Sequence, residues 1–205
     1  MKIAINAALV VFSVVLVYLM VETFRRPIDF DQTWKSREDV VREKLTSIAE
    51  LQKMHKELTK VYADNFDSLY HVLTTDTFQM EMIVGDRYDT NQVVTTKIVP
   101  YAAKDSLKGW IKKKELNMSI DDYFAYLRKV PFATEDMDFS MDAGEAIVEG
   151  TDSLMAPTFE VGTYIVNYMP EYDSASYVIY ENSYNPNNTK RKVGDLYKPS
   201  TAGNW

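Results

Sequence analysis

The side chains best suited to catalysis or metal binding are scarce in this 205-residue chain, which has two histidines, His55 and His71, and no cysteine. The lack of cysteine excludes disulfides, thiolate metal sites and cysteine nucleophiles. The chain contains no phosphate-binding loop, nucleophile elbow, zinc-protease helix or dinucleotide fingerprint. We predict that both histidines lie at the surface or at the edge of an element. No pair of acids has the spacing of a catalytic dyad, so the sequence predicts a non-enzyme without catalytic residues, metal or cofactor.

Acidic and basic residues are separated along the chain, whose formal net charge is −7. Residues 97–114 contain six lysines and one acid, whereas residues 130–189 contain eleven acids and no lysine or arginine. The negative balance argues against a nucleic-acid partner. One interpretation of the asymmetry is solubility combined with charge pairing inside the fold. The other is docking of a basic face on the acidic face of the next copy, which builds rings or filaments.

The docking interpretation places a lysine cluster against an aspartate cluster. The residues are Lys112, Lys113 and Lys114 on one side and Asp136, Asp138 and Asp142 on the other. The aspartates, with Gly144 and Glu145, also offer oxygen ligands for calcium, but their spacing does not match an EF-hand loop. We therefore predict an interface here and no metal site.

Tyrosines are concentrated in the last third of the chain, at positions 164, 168, 172, 177, 180, 184 and 197. Tyrosine suits both pleated strands and binding interfaces. Two interpretations therefore stay open. The tyrosines follow the alternation of strands, or they form a face that binds carbohydrate or protein.

An N-terminal apolar run covers residues 3–21 and is interrupted only by Asn6, Ser13 and Tyr18. As a helix it rises roughly 28 Å, close to the ~30 Å thickness of the hydrocarbon core of a membrane. A cleaved secretory signal has a shorter run followed by small residues, which this chain lacks. The pattern predicts an uncleaved transmembrane anchor over residues 1–24. Basic residues flank both ends of the run, so they do not decide its orientation.

A linker and an amphipathic helix are predicted over residues 25–63. Pro27 is expected to break or kink the helix that leaves the membrane. Ser36 is suited to cap a second helix, because two acids follow it in the first turn. Apolar residues then recur at helical spacing from Val41 to Tyr62. We expect this helix to pack one face on the domain that follows.

Residues 64–205 are predicted to form an α+β head. Asn65 caps a short helix over residues 66–73, and Ser119 caps another over residues 120–127, with a further helix over residues 104–114. Alternating apolar residues predict strands at 78–84 and 93–99, joined by a turn at 85–89, and the second strand ends at Pro100. Further strands are predicted at 138–143, 158–164, 165–169 and 176–181, followed by a turn-rich tail. The fold class is thus α+β, with a transmembrane helix, a long amphipathic helix and an antiparallel β-rich head.

Several serines follow an aspartate and precede a small or apolar residue. They are Ser68, Ser106, Ser153 and Ser174. These tripeptides resemble the O-glycosylation signal of Bacteroidetes-type bacteria. The resemblance implies that these serines are modified and that the head lies outside the cytoplasm.

The chain as a whole resembles a family of single-pass envelope proteins from such bacteria. The similarity lies in residues 26–30 after the anchor, residues 64–69 after the long helix, and residues 130–132, 192–196 and 203–205 of the head. The layout also resembles that of type IV pilins and pseudopilins, in which an apolar N-terminal helix continues into an amphipathic one and an α+β head. The chain departs from pilins in having no Gly or Ala processing site before the apolar run and no Glu five residues into it.

The resemblance implies a membrane-anchored, non-enzymatic structural subunit of an envelope filament or secretion-type assembly. Its partners would be the membrane and further copies or other envelope proteins, at a bacterial inner membrane with the head periplasmic or extracellular. One alternative is an inner-membrane alignment or scaffold subunit of a pilus or secretion machine. Another is an anchored periplasmic module that binds glycan or peptide.

Overall fold

A computed structural model describes residues 2–84, 95–151, 153–172 and 190–205. Side chains are described in these ranges except at residues 2–4, 7, 8, 27, 80–84 and 95–97. The fold is α+β, as predicted, with a long N-terminal helix and small antiparallel sheets. Within the described residues, no helix has a stretch long and apolar enough to cross a membrane.

The first helix, α1 (Lys2–Thr59), contains 58 residues and is roughly 86 Å long. The predicted break at Pro27 and the predicted helix start at Ser36 are therefore wrong. A proline removes one hydrogen bond from a helix, and burial of Phe30 and Trp34 in the next two turns offsets this loss. The exposed Arg26–Glu22 pair, at 3.0 Å, adds little.

The chain leaves α1 at Lys60, which has a left-handed φ of 70°, and then enters α2 (Phe66–Thr75). The Asn65 side-chain oxygen accepts a hydrogen bond from the Ser68 amide at 2.7 Å, which confirms the predicted cap. In α2, Phe66, Leu69 and Leu73 are buried, so its apolar stripe faces the core.

Strands β1 (Thr77–Val84) and β2 (Thr95–Ala102) form a two-stranded antiparallel sheet. Pro100 lies inside β2, opposite Gln79, so the prediction that it ends the strand is wrong. Each strand of a two-stranded sheet has an open edge, where a residue without an N–H is tolerated. The predicted turn at 85–89 lies outside the described residues.

Helices α3 (Ala103–Lys113) and α4 (Ile120–Arg128) follow at the predicted places. The Ser119 hydroxyl accepts a hydrogen bond from the Asp122 amide at 3.1 Å, which confirms the second predicted cap. Each helix presents an apolar stripe to the core, with Leu107 and Ile111 on α3 and Tyr123 and Leu127 on α4.

The second sheet contains β3 (Ser140–Ile147), β4 (Met155–Tyr164) and β5 (Lys190–Gly194) in the order β3-β4-β5. A short helix, α5 (Ile165–Tyr168), follows β4, so the strand predicted at 165–169 is wrong. Its buried residues Ile165 and Tyr168 are three positions apart, a spacing that suits a helical turn. The strand predicted at 176–181 lies outside the described residues. The β5 strand replaces part of the predicted turn-rich tail.

One hydrophobic core joins the second half of α1 to the helices and the three-stranded sheet. Val41, Leu45, Ile48 and Leu51 of α1 are fully buried in it. The amphipathic part of α1 is thus the central helix of the head, as the prediction of one packed face implies. The division at residues 24 and 63 stays a prediction, and α1 runs continuously through position 24.

Candidate functional site

The first half of α1 carries a sleeve of exposed apolar side chains. We define this apolar sleeve as Ile5, Leu9, Val10, Val11, Phe12, Val14, Val15, Leu16, Val17, Tyr18, Leu19, Met20, Val21 and Phe24. Two polar side chains within it bond back to the helix, since the hydroxyls of Ser13 and Thr23 donate to the carbonyls of Leu9 and Leu19 at 2.9 and 2.8 Å. Apolar side chains surround this part of the helix, and an exposed apolar surface of this size is typical of a contact with protein or lipid.

A junction of aromatic residues and ion pairs fixes α1 to the head. The Phe30 ring meets the rings of Trp34 and Tyr172 edge to face, at centroid distances of 5.6 and 4.9 Å. Arg37 pairs with Glu171, and the hydrogen bond from Arg37 lowers the pKa of the Glu171 carboxyl. The connection between the sleeve and the head is thus stabilised by aromatic packing and an ion pair, in addition to the helix backbone.

A second ion pair at the junction is largely buried. Arg191 of β5 meets Glu38 of α1 at 2.9 Å, and both side chains are less than 15% exposed. Removing one partner of such a pair leaves a buried charge without its counterion, which is strongly destabilising. The pair therefore ties β5 to α1 at position 38.

The aspartate cluster predicted for docking is partly paired within the chain. Lys129 contacts Asp136 at 2.7 Å and Asp138 at 2.9 Å, and Arg128 also pairs with Asp138. Burial opposes ionisation of Asp138, but hydrogen bonds from Arg128 and Lys129 outweigh it and lower its pKa. Asp142 is exposed on β3. Internal charge pairing thus accounts for two of the three aspartates.

The lysine cluster predicted for docking is divided in the same way. Lys112 and Lys113 are exposed in the last turn of α3. Lys114 turns toward α1, where its ammonium group donates to the Ser47 hydroxyl at 2.7 Å and lies 4.5 Å from the centre of the Trp110 ring. The paired aspartates, Asp136 and Asp138, contact Arg128 or Lys129. The fold therefore does not bring the lysine and aspartate clusters together within one chain.

A cleft between α3 and α4 carries a row of three lysines, of which the sequence analysis singled out only Lys112. Lys104, Lys108 and Lys112 recur every four residues on the exposed side of α3, a spacing that puts them on one face. The cleft measures about 740 Å³, and Ile111, Leu116, Met118 and Ile120 are among its lining residues. We call these seven residues the lysine cleft.

The end of the β3–β4 hairpin is both acidic and apolar. Ile147 lies opposite Met155, and the two side chains are 53% and 51% exposed. Phe159 lies on the same face of β4, four residues beyond Met155, and is buried against Tyr62. This face is therefore covered at Phe159 and exposed at Met155. Leu154, Glu145 and Glu149 are also exposed. We call Glu145, Ile147, Glu149, Leu154 and Met155 the hairpin end.

The serines predicted to carry glycans occupy different surroundings. Ser68 and Ser106 are half-buried in the first turns of α2 and α3. Ser153 is exposed in the connection between β3 and β4. Ser174 lies outside the described residues. Ser153 is therefore the described serine of this set with the best access for a glycosyltransferase.

The tyrosines predicted to share a face are dispersed where they are described. Tyr168 is fully buried, and Tyr172 packs on Phe30. Tyr164 and Tyr197 are exposed, whereas Tyr177, Tyr180 and Tyr184 lie outside the described residues. Core packing explains two of these tyrosines without a ligand.

The two histidines have different surroundings. His71 is exposed, as predicted, but the prediction for His55 is wrong, because its side chain is only 3% exposed. Its Nδ1 lies 2.9 Å from the Val61 carbonyl. The turn after α1 buries backbone groups that need polar partners, and His55 supplies one. Among the described residues, no three His, Cys, Asp or Glu side chains are grouped to hold a metal ion.

Lys44 is a buried cation at the C-terminal end of α4. Its ammonium group donates to the carbonyls of Tyr126 and Lys129 at 2.6 and 3.0 Å and lies 3.8 Å from the centre of the Tyr126 ring. A cation at this end of a helix meets the negative end of the helix dipole. Burial nevertheless lowers the pKa of Lys44 to about 8.

This shift predicts a pH-dependent stability. Between pH 8 and 10.5 the unfolded chain holds the Lys44 proton more tightly than the folded one, so the free energy of unfolding contributed by Lys44 rises with pH. Relative to Lys44→Met, the wild type should gain about 2 kcal/mol between pH 7.5 and 10. Denaturant unfolding at the two pH values measures this gain. Lys53→Met, on an exposed site of the same helix, should show no such difference, and parallel pH profiles for wild type and Lys44→Met would contradict the assignment.

No protein-family model, curated protein or solved structure matches this chain.

Proposed function

We propose that this chain is a membrane-anchored, non-enzymatic structural subunit of an envelope filament or secretion-type assembly, with a layout similar to that of a pilin. The observation that supports it is the change of environment along α1. The helix begins in the apolar sleeve and continues, without interruption, as the central helix of the head.

The anchor is the first part of the proposal. The apolar run of the sequence covers residues 3–21, and it includes four residues whose side chains are outside the described set. Burying the sleeve in lipid removes its apolar surface from water. The backbone groups of a helix are satisfied internally, and the hydroxyls of Ser13 and Thr23 are satisfied in the same way.

The placement of the head is the second part. The aspartate–serine tripeptides resemble a modification signal used outside the cytoplasm, and Ser153 is accessible. The proposed localisation is therefore a bacterial inner membrane, with the head on the periplasmic or outer side. An alignment or scaffold subunit would have the same layout and would differ in its partners.

Charged residues in the sleeve should release the protein from the membrane. We expect Val10→Lys combined with Val14→Lys to cost about 6 kcal/mol of insertion free energy. The fraction of full-length protein that stays in the membrane pellet after an alkaline wash should fall several-fold. The matched control is Gln32→Lys with Ser36→Lys, which has the same spacing at exposed sites farther along α1. Equal retention of the two double variants would contradict the anchor.

Electron microscopy of full-length protein, gently extracted from its native membrane, tests the assembly. Filaments or a regular homo-oligomer would support the subunit role. Discrete particles that contain other proteins would favour the alignment or scaffold role. Dispersed monomers would contradict an assembly role and leave the binding module as the better hypothesis.

A further inference from the structure

We infer that the hairpin end of one copy docks into the lysine cleft of a second copy, through a contact that repeats from subunit to subunit. The inference rests on the proposed assembly role and specifies the surfaces that carry it. It replaces the docking predicted from sequence, because Asp136 and Asp138 are paired with Lys129 and Lys114 is turned toward Ser47.

The lysine row of the cleft and the two glutamates of the hairpin end are opposite in charge and similar in spacing, although Glu115 and Asp121 also line the cleft. Lys104 and Lys112 are eight helical residues apart, about 12 Å along α3. Glu145 and Glu149 are separated by four residues of extended or turning chain, at most about 14 Å. Glu149 contacts Lys198 at 3.0 Å, but both side chains are more than 60% exposed. Exchange of such a surface pair for an intermolecular pair costs little.

The apolar parts of the two surfaces are also complementary. Ile147, Leu154 and Met155 are each more than half exposed, although the face of β4 that carries Met155 also carries the buried Phe159 and Val161. The lysine cleft offers Leu116 and Met118 beside the buried Ile111 and Ile120. An apolar patch rimmed by charges is typical of a protein–protein contact.

The hairpin end and the lysine cleft do not meet within one chain, so the contact needs a second copy. Among the described residues, none from the hairpin end lines the cleft. The residues of the hairpin end stay exposed. A contact between two different surfaces is heterologous, and it builds rings or filaments instead of closed twofold dimers.

Reciprocal charge reversal in the full-length protein tests the contact. The hairpin variant combines Glu145→Lys and Glu149→Lys, and the cleft variant combines Lys104→Glu and Lys112→Glu. Each should weaken self-association in mild detergent at least tenfold, as measured by analytical ultracentrifugation. The fourfold variant, which carries both sets, should recover most of the wild-type association. Circular dichroism checks that each variant is folded.

A matched control separates this contact from a general effect of charge. Glu135→Lys with Asp142→Lys changes the same number of exposed acids outside the hairpin end, and it should associate like the wild type.

The outcomes distinguish the contact from the proposed function. If the hairpin variant and the cleft variant associate as well as the wild type, the contact is wrong and the assembly role still stands. Loss of association in both variants without recovery in the fourfold variant would also overturn it. A wild-type protein that stays monomeric in native membranes would overturn both the contact and the assembly role.

Discussion

Replacing Gly194 with alanine is expected to lower the free energy of unfolding by about 3 kcal/mol or more. Gly194 has a φ of +79°, and an added Cβ would lie 2.2 Å from the Phe159 carbonyl oxygen and 3.2 Å from the Phe159 ring. The residue ends β5, where it pairs with Glu160 and its amide donates to the Ala202 carbonyl at 3.0 Å. The backbone angle is unfavourable for a residue with a side chain, and the close approach leaves no room for a Cβ.

The effect should reach the C-terminal segment, because β5 holds it in place. Asn204 bonds the backbone of Lys192 and Lys190, and Trp205 lies under Arg42 of α1. Urea unfolding of the full chain in mild detergent, followed by tryptophan fluorescence, measures the loss. Gly109→Ala is the control, because nothing lies within 4 Å of its added Cβ in α3. It should stabilise the protein by up to about 1 kcal/mol. A loss below 0.5 kcal/mol at Gly194, on the order of an ordinary surface substitution, would contradict the packing described.

Local signals in the sequence were sufficient where an element is determined by its own residues. The caps at Asn65 and Ser119 hydrogen-bond the helix starts as predicted, because capping needs only a side-chain oxygen three residues before an amide. The apolar stripe from Val41 onward faces the core for a similar reason, since helical spacing alone decides which residues share a face.

Long-range packing decided the elements that were predicted wrongly. Pro27 is a strong local signal, but Phe30 and Trp34 are buried against residues more than 130 positions away in the chain, and α1 continues. The 165–169 segment resembles a strand in composition, whereas burial of Ile165 and Tyr168 on one side selects a helical turn. Composition also concealed β5, which is stabilised by pairing with β4.

The proposed interaction surfaces were partly predictable from the sequence. Charge segregation predicted a basic region and an acidic region, and the four-residue spacing of Lys104, Lys108 and Lys112 was available as a signal for the lysine cleft. Arg128 and Lys129 stand just before the acidic stretch, so a tight reversal at residues 130–137 could have predicted their pairing with Asp138. The exposure of the hairpin end depends on where α1 stops covering the sheet, which only the folded chain determines.

Gln52→Ala is expected to destabilise the fold by about 3 kcal/mol, because it leaves two buried backbone groups without partners. The Gln52 side chain is 0% exposed. Its amide nitrogen donates to the Ala63 carbonyl at 2.8 Å, and its oxygen accepts from the Ala63 amide at 2.9 Å. This pair of bonds ties the chain that leaves α1 back onto the helix, just before the Asn65 cap. Lys53→Ala, at the neighbouring exposed position, should change stability by less than 0.5 kcal/mol.

Gln52→Glu separates the donor role of the amide from its acceptor role. The introduced carboxylate can accept from the Ala63 amide, but it can donate to the Ala63 carbonyl only when it is protonated. Burial and that carbonyl raise its pKa in the folded state above the ordinary glutamate value of about 4.3. The folded variant then binds the proton more tightly than the unfolded chain, so its stability relative to wild type is greatest at pH 4 and falls as the pH rises through the raised pKa. Urea unfolding of both proteins at pH 4 and pH 7 measures this difference. A constant difference between the two pH values would mean that the Gln52 amide does not act as a donor to Ala63, and that packing alone holds the turn.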